Sequence, residues 1–158
     1  MNRYAACLGD ADPLVVIAHT PARIAELVSK WGPGAGERSL GPGKWTVREI
    51  ISHLADCDLA FGFRLRQALA EPHFTVQPFD QDLWGARYAV YDLHSAMVAF
   101  SAFRNWNRRL IDSATPEDNA RPVRHPEMGE MTFRTLVEIM AGHDLNHLAQ
   151  FEKMDAAG

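Results

Sequence analysis

The sequence predicts an all-α fold, a bundle of four helices, on three observations. Four segments carry apolar residues at helical spacing, Gly- and Pro-rich stretches separate them, and no apolar-polar alternation runs long enough for a half-buried strand. With 158 residues, 47% of them hydrophobic, the chain can enclose one core and is short for two, so residues 1–158 are expected to form a single domain.

The first helix is expected over Asp12 to Trp31, with Leu14, Val15, Ile17, Ala18, Ile24, Leu27 and Val28 inward. Pro21 either kinks it or marks a fresh start capped by Thr20. WGPGAGERSLGPGK, from Trp31 to Lys44, holds five glycines and two prolines and reads as a long loop. The second helix has the sharpest start in the chain. Thr46 suits the N-cap, Glu49 at the third helical position completes a capping box, and Trp45 before the cap can pack on Ile50. This helix should run to Ala70, ahead of Glu71-Pro72, burying Ile50, Leu54, Phe61, Leu65 and Leu69.

Pro72 to Asp82 reads as a loop with Phe74, Val76 and Phe79 tucked beneath it. A third helix is expected from Leu83 to Ser113, with Leu93, Met97, Phe100, Phe103 and Leu110 as its core stripe. ATPEDNARPVRHPEMGE turns the chain again, and Thr132 can cap a fourth helix from Phe133 to Met154, with Leu136, Val137, Met140, Leu148 and Phe151 inward.

Composition narrows the function. The formal net charge of −4 and the scattered arginines leave no basic run for nucleic acid or an anionic membrane surface. Cys7 and Cys57 make a poor disulfide framework, and neither an export signal nor a stretch of about 18 apolar residues is visible, so a reducing cytoplasm is the expected location.

MAGHDLNHLAQ, from Met140 to Gln150, puts His143 and His147 one turn apart on the fourth helix, on the side of Met140 and Phe151. An inward imidazole needs a hydrogen-bond partner or a metal, because a buried unpaired polar group costs on the order of 1–3 kcal/mol. His53 faces inward on the second helix, three residues after Ile50. If the two helices are neighbours, His53, His143 and His147 make a three-histidine set with an open position for water. Asp144 after His143 removes the HExxH pattern, and neither Glu49 nor Glu138 has the Glu-x-x-His spacing of a di-iron centre. Cys57, four residues after His53, can join it as a ligand but reads first as a small core residue, His125 reads as a solvated loop residue, and His19, His73 and His94 lack companions at ligand spacing.

GKWTVREIISHLADCD together with TLVEIMAGHDLNHLAQFEK resembles the DinB/YfiT-like superfamily of metal-binding four-helix-bundle proteins, through Trp45, Thr46, Glu49 and His53 and through His143 and His147, followed by Gln150. The resemblance implies an up-down-down-up bundle, a divalent ion such as Zn or Ni on His53, His143 and His147, and a homodimer. Characterised relatives include thiol-dependent enzymes, among them bacillithiol S-transferases and mycothiol-dependent maleylpyruvate isomerases. The isomerases are longer and carry a carboxylate among the ligands, whereas this chain keeps three histidines.

The expected function is a metal-dependent enzyme, a thiol S-transferase or hydrolase acting on a small electrophile, with a low-molecular-weight thiol as a candidate cosubstrate. The alternative is a non-catalytic, metal-dependent binding or stress-response module. Asp56, as proton acceptor or imidazole orienter, and Gln150, orienting water near the ion, are the accessory candidates.

Overall fold

A computed structural model describes residues 2–157. In chain order the elements are α1 (Ala5–Leu8), α2 (Pro13–Trp31), α3 (Val47–Ala70), β1 (Phe74–Thr75), α4 (Gln81–Gly85), α5 (Leu93–Asp112), α6 (Pro116–Asn119), β2 (Pro122–His125), β3 (Gly129–Thr132) and α7 (Phe133–Ala156). Helices α2, α3, α5 and α7 are the expected four-helix bundle, in which α2 packs on α7 and α5, and α3 packs on α5 and α7.

The side-chain contacts give the helix directions. Lys30 and Trp31 at the end of α2 bond Asp155 at the end of α7, so these two run parallel. Arg48 at the start of α3 donates to the carbonyls of Tyr88 and Tyr91 just ahead of α5, and Arg66 near its end meets Asn107, so α3 and α5 are also parallel. Early α3 residues Ile50 and Leu54 share a core cluster with Phe151 and Met154, whereas Phe61 and Leu65 cluster with Leu136 and Val137, so α3 opposes α7. The order is therefore up-down-down-up.

Helix α2 runs unbroken through Pro21, and Thr20 is not a cap: its Oγ1 donates to Val16 O at 2.8 Å. Pro21 has no N–H for the carbonyl of Ile17, and that carbonyl instead accepts from Arg104 Nη1 at 3.2 Å. The buried face is Pro13, Ile17, Thr20, Ile24 and Leu27, while Leu14 and Val15 are exposed, contrary to expectation.

Two further corrections concern the connections. The third helix begins at Leu93, capped by Asp92, because the expected span breaks into α4 and a 3₁₀ turn at Tyr88–Val90 that aims the Tyr88 side chain inward. Its inner face is Ala96, Phe100, Arg104, Asn107 and Ile111, and Phe103 is exposed. The expected loops also contain a small sheet in the order β1-β2-β3, with β1 parallel and β3 antiparallel to β2. Four-residue strands joined by Pro126-Glu-Met are too short to show a period of two.

At mid-bundle Arg104, with 2% of its surface exposed, donates to both carboxylates of Asp58 on α3 and Asp144 on α7 and to Ile17 O on α2. Asn107 adds a bond to Asp58 O at 2.7 Å. Gly62 makes room for it, since a Cβ there would lie 2.5 Å from Asn107 Oδ1. One guanidinium thus ties all four helices together.

Candidate metal centre

His53 occupies the second turn of α3, and the capping box sets where that turn begins. Thr46 N–H donates to Glu49 Oε2 at 2.8 Å, and Glu49 N–H donates to Thr46 Oγ1 at 3.3 Å. His143 and His147 face it from α7, and Arg104 holds the two helices in register through Asp58 and through Asp144, the neighbour of His143. His143 Nε2 lies 2.9 Å from His53 Nε2 and 3.0 Å from His147 Nε2. The structure thus brings all three expected histidines together, each at most 6% exposed.

Burial favours the neutral imidazole. It lowers His53 to about 3, helped by the adjacent His147; it drives His143 well down, helped by His147 and His53; and it lowers His147 against the opposing bond to Gln150. A neutral ring carries one N–H, and in His53 and His147 the Nδ1 atom points to an acceptor away from the other two rings. His147 Nδ1 is 3.2 Å from Gln150 Oε1, and His53 Nδ1 is 3.5 Å from the Tyr88 hydroxyl. That tautomer leaves His53 and His147 each with an Nε2 lone pair aimed at His143 Nε2, an arrangement suited to holding a cation.

The donor set fits a divalent ion of the Zn or Ni class, which takes neutral imidazole nitrogen at about 2.0–2.1 Å. Cys57 is a core residue as expected, and it also stands beside His53 in the same cluster, the ligand position of the alternative reading. Its Sγ is 3.5 Å from His53 Nε2, and donor atoms of His53, Cys57 and His143 all lie within 4.8 Å of one another. Burial pushes the Cys57 thiol pKa up, so without a metal it stays protonated.

Of the accessory candidates, Gln150 meets His147 directly, while Asp56 reaches His53 only by way of Tyr88, whose hydroxyl it hydrogen-bonds. Asp56 is half-buried, and burial raises its pKa against the lowering effect of that bond. Trp45 stacks obliquely on His53 with ring centroids 5.1 Å apart, and Tyr4 meets the His143 ring edge-on at 5.2 Å.

His53, Cys57 and His143 open onto a cavity of about 340 Å³ with Phe61, Phe79 and Ile139 among its walls. His147 and Gln150 open onto a second cleft with Trp45 and Lys44, which shares Tyr4, Gln81 and Asp82 with the first. His125 is not solvated as expected: it is 6% exposed and lines the first cavity, because the hairpin between β2 and β3 folds its ring inward.

Sequence reasoning missed Tyr4, Tyr88 and Arg104. One signal for Tyr4 was present, since a Gly inside a helical pattern marks a close approach: a Cβ on Gly142 would lie 2.6 Å from Tyr4 O. Tyr88 left no signal, being placed by an irregular turn, and Arg104 reads as a surface residue.

Residues 17–151 match the family model of the DinB superfamily, and the chain belongs to that superfamily. A protein of Oceanobacillus iheyensis named "Putative metal-dependent hydrolase" is 31% identical over 75% of this chain and 69% of its own length. One of Bacillus mycoides with the same printed description is 27% identical over 71% of this chain and 65% of its own. The fold is that of YfiT from Bacillus subtilis, with a TM-score of 0.82 at 20% identity, covering 92% of this chain and 85% of that one; YfiT is described as a probable metal-dependent hydrolase with an unusual four-helix bundle topology. Among the described residues no helix is long and apolar enough to cross a membrane.

Proposed function

We propose that His53, His143 and His147 bind one divalent cation, Zn or Ni, and that the protein is a metal-dependent enzyme acting on a small electrophile held in the adjoining cavity. The observation that carries the reading is the convergence of three buried Nε2 atoms, those of His53 and His147 on rings whose Nδ1 is bonded elsewhere. The names of the relatives favour hydrolysis; transfer of a low-molecular-weight thiol uses the same metal chemistry and is the second reaction to test.

A divalent cation on three neutral ligands keeps its full charge and supplies Lewis acidity together with a water or thiol nucleophile activated near neutral pH. The protein's own groups do the rest. Gln150 orients His147, Tyr88 with Asp56 behind it orients His53, and Phe61, Phe79 and Ile139 give the cavity an apolar wall among its charged residues. Cys57 is the alternative ligand to His147, since it shares the cluster with His53 and His143.

Residues 1–158 act as one domain, cytoplasmic, with small molecules and no nucleic acid or membrane as partners. A homodimer would form on the face where Leu59, Phe63 and Trp106 are exposed, at 52%, 56% and 66%.

The test is a parallel assay of metal-loaded protein for ester and amide hydrolysis and for thiol conjugation to chlorinated or epoxide electrophiles, with His53→Ala as control. Turnover lost in His53→Ala supports an enzyme. Stoichiometric metal without turnover across the panel would make the protein a metal-dependent binding module instead.

A further inference from the structure

The cavity beside the histidines is lined by two arginines, Arg3, which is exposed, and Arg64, which is buried. Arg64 lies three turns after His53 on α3, and helical side chains lean toward the N-terminus, so its guanidinium extends back along the cavity toward His53. It is only 9% exposed, it donates from Nη2 to Gln77 O at 3.0 Å, and it lies over the rings of Phe61 and Phe79 at 5.6 and 5.4 Å.

Among the described residues no carboxylate pairs with Arg64. Arg104, by contrast, is the other deeply buried arginine on α3 or α5 and is saturated by two. A buried cation without a counter-ion is costly, and an arriving oxyanion removes that cost with charge-assisted bonds to the guanidinium fork.

His125 lines the same cavity, close enough to Arg64 to feel its charge, and supplies a second donor. Its Nδ1 accepts from the N–H groups of Glu127 at 3.1 Å and Met128 at 3.3 Å, so the proton of the neutral ring is on Nε2. The carboxylates that line this cavity, Asp80, Asp82 and Glu127, are all exposed at its mouth, and Asp80 already caps α4 by accepting from Asp82 and Leu83.

We propose that Arg64 and His125 form an oxyanion subsite that receives the carboxylate of a small ligand, whose apolar body lies against Phe61 and Phe79 and whose reactive end reaches the histidine cluster. The reactive end rests on the proposed metal-dependent reaction; the subsite does not.

Binding of phenylacetate and of its neutral isostere phenylacetamide to the full chain, chelator-treated so that carboxylate cannot ligate metal, tests the subsite by calorimetry. The acid should bind at least about tenfold tighter than the amide, a preference that Arg64→Gln abolishes and Arg64→Lys partly keeps. Equal binding of acid and amide, binding of neither at millimolar concentration, or an unchanged preference in Arg64→Gln would overturn it. Should Arg64→Gln fail to fold, the wild-type comparison and a weakened preference in His125→Gln decide. Metal content read on the untreated protein separates the two ideas: acid preference without metal keeps the subsite and sinks the metal reading, and stoichiometric metal without acid preference does the reverse.

Discussion

At the centre of the account is one atom, His143 Nε2, with an imidazole nitrogen about 3 Å away on either side. Its environment makes two predictions. Gln150→Leu removes the acceptor at His147 Nδ1 and should weaken metal binding by about tenfold or more, read by competition with a chelator. The second concerns pH. His53 falls from an ordinary value of 6.5 to about 3 on folding, so the folded, metal-free protein resists protonation that the unfolded chain accepts. Stability is therefore fully present above about pH 6.5 and is lost progressively as pH falls toward 3. Denaturant melts of metal-free protein at pH 7.5 and 5.0 should differ in that direction, with a smaller difference in His53→Gln. The histidines themselves were legible in the sequence because spacing on two helices is a local property. Cys57 was legible as an i, i+4 neighbour of His53 for the same reason, whereas Tyr88 and His125 were not, because their approach to the cluster depends on how irregular turns bend.

Among the elements, α3 and α7 carry the cluster and α5 sets their separation. The capping box at Thr46 fixes the start of α3, and Thr46→Ala should cost about 1 kcal/mol in chemical denaturation. Arg104 matters more. Arg104→Met leaves Asp58 and Asp144 buried without their cation and frees the carbonyl of Ile17 that Pro21 leaves unbonded, so a loss of about 3–5 kcal/mol is expected. A loss under about 1 kcal/mol would mean that the buried network does not hold the helices. The starts of α3 and α7 were readable from Thr46 and Thr132, since caps are short-range signals. The inner face of α5 was not, because two of its five buried positions are Arg104 and Asn107, and a hydrophobic stripe search passes over polar residues that the fold satisfies elsewhere.

For the whole molecule, the four-helix class followed from periodicity, while the up-down-down-up order came from family resemblance and is explained by contacts that the sequence does not display, such as Lys30 with Asp155 and Arg48 with the carbonyls before α5. Leu59, Phe63 and Trp106 remain on one exposed side of α3 and α5, with the Arg66 guanidinium over the Trp106 ring. If that face joins two copies, light scattering gives twice the chain mass of 17.7 kDa, and Phe63→Asp with Trp106→Asp returns it to one. The measurement that tests the central claim most directly is metal content by mass spectrometry on freshly purified protein and on His143→Ala. About one divalent ion per chain is expected in the wild type, near zero in the variant, and a lower unfolding midpoint for the variant. A folded wild type without stoichiometric metal that takes up none from added Zn or Ni, and whose stability His143→Ala leaves unchanged, would contradict it.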